Sequence, residues 1–232
     1  MSKALALVLF STFAQASTIS ALSLNLACGA GDAWNTSRVR KVQRQFIANV
    51  GADFVGMQEV DVGVPRSGML DVAAVVAPRN GTLVRGVAQP LEGGTYGNAL
   101  WVSPRHTVLS SQTIVMDDHD REEPRSLLLA EVRLDSGRVI VVGVTHLSTY
   151  GRGPVALRRE QLAVIAGYDI DILMGDFNAY DAEVSSQIPQ SLVTPDAIDQ
   201  VRAMMPGTGS LIPTNGASDH EFAAFAIFRG VL

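Results

Sequence analysis

The segment "DIDILMGDFNAYD", Asp169–Asp181, decides how the chain is read. It opens on Ile170, Ile172, Leu173 and Met174, a run short and apolar enough for a strand inside a sheet. It breaks at Gly175 and delivers an acid, an aromatic and an amide: Asp176, Phe177 and Asn178. Strand side chains alternate with period two, so continued alternation puts Asp176 and Asn178 on one side and Phe177 on the other. Two readings compete. Gly, Asp and Asn are ordinary turn residues, and the strand could simply end there. Alternatively, the strand aims a carboxylate and a carboxamide at one spot, at the carboxyl end where open sheets hold ligands.

The rest of the chain weighs these readings. Its 232 residues suffice for one sizeable domain and are short for two. A composition of 47% hydrophobic and 18% charged residues is that of a chain with a real core, not of a disordered one. The net charge of −5 disfavours a broad nucleic-acid-binding face, which would usually be basic. It leaves a nuclease open, because carboxylates that hold a cation also count as negative. The start reads as an export signal: "MSK", then the short apolar "ALALVLFSTFA", then the small-x-small "AQA" of Ala14–Ala16. Residues 1–16 are therefore expected to be removed and the mature chain to begin near Ser17, which implies a secreted or periplasmic protein. The alternative is a first buried strand or helix. Cys28, the single cysteine, has no internal disulfide partner and excludes a thiolate zinc site.

Along the chain, "ISALSLNLAC" alternates like a strand that ends near Asn25. "SRVRKVQRQFIANVG" has Val39, Val42, Phe46, Ile47 and Val50 at helical spacing, with Ser37 as N-cap and Gly51 as stop. "DFVGMQEV" is a strand ending at Glu59. "GTLVRGVA", "GNALWVS" and "SLLLAEVRL" are further strands, and "LDSGR" is a hairpin turn into "VIVVGVTHLS". "PVALRREQLAVIAG" reads as a helix from Pro154 to Gly167. "SDHEFAAFAIF" is a last strand, although Phe222, Phe225 and Phe228 fit no single face. Many strands, few helices and no linker argue for one α+β domain over residues 17–232. Two sheets packed face to face with helices outside would bury this much apolar sequence.

Polar residues recur at the strand ends: Asn25, Glu59, His146, Asp176 with Asn178, and Asp219 with His220. Each alone has a plain reading as a cap, a solvated strand end, a satisfied core histidine or a loop residue. Their recurrence at strand after strand points to one shared site. Three carboxylates and two amides are hard oxygen ligands, suited to Mg²⁺ or Mn²⁺. Two histidines with acids nearby suit proton transfer near neutral pH. Together such groups serve attack by water on a phosphorus centre.

In order along the chain, "LNL", "MQEV", "YGNALWVS", "EPRS", "THLS", "RREQL", "GDFNA", "AID" and "SDH" resemble the endonuclease/exonuclease/phosphatase superfamily. The resemblance runs from about Ser20 to the C-terminus. It implies a deoxyribonuclease I-like sandwich of two mixed sheets flanked by helices. It also implies Glu59 as the main metal-binding acid, assisted by Asn25, with Asp219 completing the metal or phosphate site. Asp176 and Asn178 would flank the attacking water, His220 with Asp199 would form the catalytic pair, and His146 would contact the phosphate. Tyr96 matches a catalytic tyrosine; Asn98 and Arg125 would bind substrate, with a structural ion pair as the other reading of Arg125. The usual "IDYIF" reads "IDQVRA" here, and the segment between Asn178 and Asp199 is short. The resemblance implies an enzyme, a Mg²⁺- or Mn²⁺-dependent hydrolase of phosphate esters. The substrate could be a nucleic acid, with Arg38, Arg40, Lys41, Arg44, Arg152, Arg158 and Arg159 as a local basic face, or a phospholipid head group. A non-catalytic binding protein on the same fold is the remaining reading, since fold does not fix function. Nothing in the sequence calls for an obligate protein partner, and a monomer is expected.

Overall fold

The computed structural model describes residues 18–116, 123–149 and 155–230. The export segment, Arg152 and Pro154 lie outside them. Strand β1 (Thr18–Asn25) leads through helix α1 (Ser37–Val50) to β2 (Phe54–Val62), which runs parallel to β1. Helix α2 (Val72–Val76) precedes a hairpin of β3 (Thr82–Leu91) and β4 (Gly94–Val102). Then come β5 (Thr107–Met116), β6 (Arg125–Arg133) and β7 (Val139–His146), three successive antiparallel strands. Helix α3 (Val155–Ala166) crosses to β8 (Ile172–Asp176), parallel to β7. The short α4 (Asp181–Val184) and β9 (Ser191–Leu192) lead to β10 (Asp199–Ala203), and the hairpin of β11 (Gly207–Pro213) and β12 (Phe222–Arg229) follows. The strands form two six-stranded mixed sheets, ordered β11-β12-β1-β2-β4-β3 and β5-β6-β7-β8-β10-β9.

The layers follow from alternation. In β1, Ile19 and Ala21 join Phe54, Leu100, Leu128, Val144 and Met174 in the core between the sheets. Leu22 and Leu24 turn outward, under Ile47 of α1 and Val72 and Val76 of α2. On the far side, Leu162 and Ile165 of α3 cover Leu129, Leu173 and Phe177. The result is helix, sheet, sheet, helix, the α+β sandwich expected from the sequence. In β12, Ala224, Ala226 and Phe228 face the inter-sheet core, whereas Ala223 and Phe225 face the helix layer. The strand is covered on both faces, which is why its phenylalanines fit no single face.

Several boundaries differ from the sequence reading. The cap of α1 is Thr36, whose hydroxyl accepts the Val39 N–H at 3.2 Å, and Ser37 already lies in the helix. Gly51 ends α1 in the left-handed conformation as expected, at φ 64°. Strand β2 does not stop at Glu59 but continues to Val62 past a register shift between Met57 and Val60. Strands β5 and β11 were not expected. β5 shows exposed Ser110, Ser111, Gln112 and Thr113, and β11 is built on Gly207, Gly209 and Ser210. Both are edge strands with one partner, so they need no buried alternating face.

Candidate active site

Parallel β1 and β2 end on the same edge of the sandwich as parallel β7 and β8. Strands β10 and β12 run antiparallel to their neighbours and start there. One edge therefore collects Asn25, Glu59, His146, Asp176 and Asp199, together with the segment that carries Asp219 and His220. In register, His146 lies beside Asp176, and Asp176 beside Asp199.

Asp176 is the focus. It is buried, and its Oδ2 faces Asn25 Nδ2 at 3.2 Å, His146 Nε2 at 3.4 Å and His220 Nε2 at 3.6 Å. Its Oδ1 accepts the Asn178 backbone N–H at 3.0 Å. Asn25 comes from one sheet and His146 from the other, so this one carboxylate joins the layers. Burial, then the charge of Asp199, pushes its carboxyl up to about 7, against opposing help from His220, Asn178 and Asn25.

The two histidines differ. His220 Nδ1 lies 2.6 Å from Asp199 Oδ2. Burial alone would lower the imidazole, but the Asp199 hydrogen bond and the charges of Asp199, Asp176 and Asp219 raise it to about 10. His220 is thus held as an imidazolium, with Nδ1–H on Asp199 and Nε2–H toward Asp176. His146 Nδ1 lies 3.0 Å from Arg125 Nη1, which can only donate, so Nδ1 accepts and the proton sits on Nε2, facing Asp176. Burial, then Arg125 and His220, holds this imidazole well below its ordinary value. Arg125 also pairs with Glu123 at 2.8 Å, the ion pair foreseen as its other reading.

Glu59 reaches the site through strain. It sits at φ 54° in the β2 irregularity, a conformation uncommon for a side-chain-bearing residue and frequent at functional sites. Its Oε1 accepts Asn25 Nδ2 at 3.0 Å and its Oε2 accepts the Gly29 N–H at 2.7 Å. A Cβ at position 29 would lie 2.8 Å from Oε2, so a side chain there would push the Glu59 carboxylate aside. Burial, opposed by the Asn25 and Gly29 bonds and aided by Asp219 and Asp176, raises this carboxyl. Asp219 itself is exposed, with its Oδ1 3.4 Å from Ser218 Oγ. Asn25 enters as a donor to both acids; its Oδ1, the oxygen expected to face a cation, already accepts the Ala27 N–H at 2.8 Å.

Tyr96 is buried next to these acids, and burial, then the Glu59 charge, keeps its phenol well above the ordinary range, so it remains a hydroxyl. Arg66 lies over its ring at 5.2 Å and is gripped by Asp61 at 2.9 and 2.8 Å. The sequence reading passed over Gly29, Asp61 and Arg66, which carry no strand-end signal. Asn98 is buried on β4 and donates to Ser126 O at 2.9 Å.

The alternation assumed for "GDFN" does not hold. The strand ends at Asp176, and Asn178 is left-handed at φ 47°; its carboxamide donates to Leu147 O at 3.0 Å. Phe177 is buried as expected. The proposed basic face is also thinner than expected. Arg40 is buried against Leu26 O, Gln43 and Asn35, and Arg158 is buried and paired with Glu183 at 2.8 Å. Arg38, Lys41, Arg44 and Arg159 are exposed.

The donor set fits a hard divalent cation. Glu59, Asp176 and Asp199 are all raised by burial, Asp219 adds charge, and Asp199 Oδ1 is buried without a partner among the described residues. Ligand atoms of Asp176, Asp199 and His220 lie within 4.8 Å of one another. Carboxylates gathered in excess of their cationic partners are what such an ion neutralises.

Comparison with known proteins agrees. No curated protein matches the chain in sequence. Among solved structures, the fold is similar to Danio rerio (D. rerio) TDP2 complexed with single-strand DNA product, at TM-score 0.68 and 21% identity, covering 91% of this chain and 99% of that one. It is similar to a Bacteroides thetaiotaomicron endonuclease/exonuclease/phosphatase family protein at TM-score 0.71 and 14% identity, covering 94% and 100%. It is also similar to a Bacteroides thetaiotaomicron mannosyl-6-phosphatase at TM-score 0.68 and 14% identity, covering 90% and 98%. The sequence model of the endonuclease/exonuclease/phosphatase family matches residues 22–220, from within β1 to His220. The chain is therefore a member of that family.

Proposed function

We propose that this protein is a divalent-cation-dependent phosphoester hydrolase in which Asp176 and His220 move the protons. The observation that carries this reading is the convergence of Asn25, His146 and His220 on one oxygen of Asp176, with His220 anchored by Asp199. Mg²⁺ or Mn²⁺, held by Glu59 with Asp219 beside it, would supply Lewis acidity that neutralises charge on the phosphoryl group. Asn25 orients Glu59 and Asp176 toward each other. Asp176, on whose Oδ2 Asn25, His146 and His220 converge, is placed to take a proton from attacking water. His220, an imidazolium braced by Asp199, donates from Nε2 to phosphoryl or leaving oxygen. His146, neutral with Nε2–H, adds a fixed donor, and Tyr96 a neutral hydroxyl.

The test is a hydrolysis panel of chromogenic phosphate mono- and diesters, plasmid DNA, RNA, sphingomyelin and phosphoinositides. Turnover of at least one ester with Mg²⁺ or Mn²⁺, lost in EDTA, is expected. Undiminished turnover in EDTA would sink the cation assignment. Export rests on the "MSK", apolar and "AQA" pattern of the first sixteen residues. N-terminal sequencing from the native host should find Ser17 or a close neighbour; intact Met1 in cytosol would refute it.

A further inference from the structure

A narrow cavity of about 10 Å³ opens between β4 and β6, lined by Tyr96, Asn98, Arg125 and His146 among others. This is room for one oxygen-sized group. Two buried polar atoms of its lining residues, Asn98 Oδ1 and Arg125 Nε, have no partner among the described residues. Asn98 is 3% exposed and Arg125 5%. Buried polar groups are nearly always hydrogen-bonded, so each of these atoms calls for a partner.

The chemistry of that partner is constrained. The Asn98 amide cannot turn over, because its Nδ2 donates to Ser126 O at 2.9 Å and faces Ser126 Oγ at 3.2 Å. Its free atom is therefore an acceptor. Arg125 Nε–H can only donate. A phosphoryl oxygen, which only accepts, satisfies Arg125 and leaves Asn98 unmet. A hydroxyl satisfies both, accepting from Nε–H and donating to Oδ1. His146 borders both this cavity and Asp176, so a hydroxyl held here would lie next to an ester bound at Asp176.

We infer that Asn98 and Arg125 form a hydroxyl-reading subsite, and that the substrate is a sugar or polyol phosphate with a free hydroxyl near the ester carbon. The inference rests on the phosphoester reading above.

Two matched pairs test it: glucose 1-phosphate against 2-deoxyglucose 1-phosphate, and glycerol 1-phosphate against propyl phosphate. A site built to hydrogen-bond a hydroxyl strongly rejects the analogue that lacks it, so kcat/KM should favour the hydroxylated member by about 100-fold or more in at least one pair. In Asn98→Ala and in Arg125→Lys, which lacks the Nε–H, that ratio should collapse to within about threefold. A ratio near one in both pairs for the wild type, or a ratio preserved in the variants, overturns the subsite. Chromogenic nitrophenyl phosphates carry no hydroxyl and report the chemistry alone. If neither these esters nor any member of the wider panel is hydrolysed, the phosphoester reading falls, whereas hydrolysis of the wider panel alone overturns the sugar or polyol phosphate assignment. Calorimetric binding of the same pairs then judges the subsite, and equal affinities mean that the cavity takes a resident water only.

Discussion

At the scale of single residues, the site is defined by what surrounds Asp176. His220 and Asp199 are hydrogen-bonded, 2.6 Å apart, whereas His146 is held separately by Arg125. His220→Ala should lower kcat on the order of a thousandfold, the range expected when charge stabilisation and proton donation are lost together. Asp199→Asn should cost less, and the double variant should be little worse than His220→Ala, because groups that work together are non-additive. His146→Ala should add its own loss. Multiplying losses for Asp199 and His220 in a double-mutant cycle would break the pairing. The pH dependence follows from the same groups. Asp176, raised to about 7, holds a proton in the folded state that it has shed when unfolded, so cation-free protein loses stability as pH rises from about 4 to 7. The His220 contribution is fully present below about 6.5 and is lost as pH rises through about 10. Mg²⁺ competes with those protons, so the Tm gain on adding it should grow between pH 5 and pH 8 in thermal scans. Residue identity was legible at this scale because an acid, amide or imidazole at a strand end stands out. Orientation was not: the donor role of Asn25 and the left-handed Asn178 depend on backbone turns that alternation does not encode.

At the scale of elements, Asp53, immediately before β2, joins three segments. Its Oδ2 accepts from Ser20 N and Oγ, and its Oδ1 faces Arg105 Nη1 at 3.1 Å and His106 Nε2 at 3.6 Å. Burial would raise its carboxyl, but the neighbouring His106 imidazole and the Arg105 charge hold it below its ordinary value. Its stabilisation is therefore present above about pH 4 and lost as pH falls through the folded-state value. Asp53→Asn should destabilise by about 1–2 kcal/mol at pH 7, by denaturant titration, and the difference should shrink in acid. Gly97 shows the same dependence on neighbours. A Cβ there would lie 2.1 Å from Gly86 O and 2.7 Å from Ala88 N, backbone atoms opposite the β3 irregularity between Val87 and Gln89. Gly97→Ala should displace the flanking Tyr96 and Asn98 and destabilise by roughly 2 kcal/mol or more, since an overpacked backbone contact cannot give. A melting temperature within a degree of wild type would contradict this. Elements with a continuous apolar run or a clear helical stripe, such as β8 and α1, were readable. Polar edge strands such as β5 and β11 were not, because their stability comes from one neighbour's backbone rather than from a buried face.

At the scale of the whole molecule, the site straddles the inter-sheet boundary. Glu59 belongs to one sheet and Asp176 to the other, so a cation held at Glu59 would sit where the two layers meet. A ligand that binds only the folded state adds about 2.7 kcal/mol at a hundred times its Kd. Saturating Mg²⁺ should therefore raise Tm by several degrees, and EDTA should reverse it. Glu59→Gln removes a half-buried charge among acids, so it should raise the Tm of the cation-free protein while abolishing the response to Mg²⁺. A variant that keeps the full response would remove Glu59 from the cation site. The family was readable because the site residues keep their order. The interior was less so: Arg158 and Arg202 look like surface cations in sequence, yet both are buried, Arg202 against Asp181, Gln200 and Gln190 O. A long-range partner, invisible to local pattern, decides whether an arginine goes inside.

The strand orders also set a timetable for synthesis. The second sheet is complete once β10 has left the ribosome, but the first is not: β1, the earliest strand made, waits for β12, the last, to cover its open side. Until then its free edge and the inner apolar layer are exposed to any other nascent strand. His220 precedes the first residue of β12 by two positions, so the candidate site is assembled only as the first and last of these strands meet.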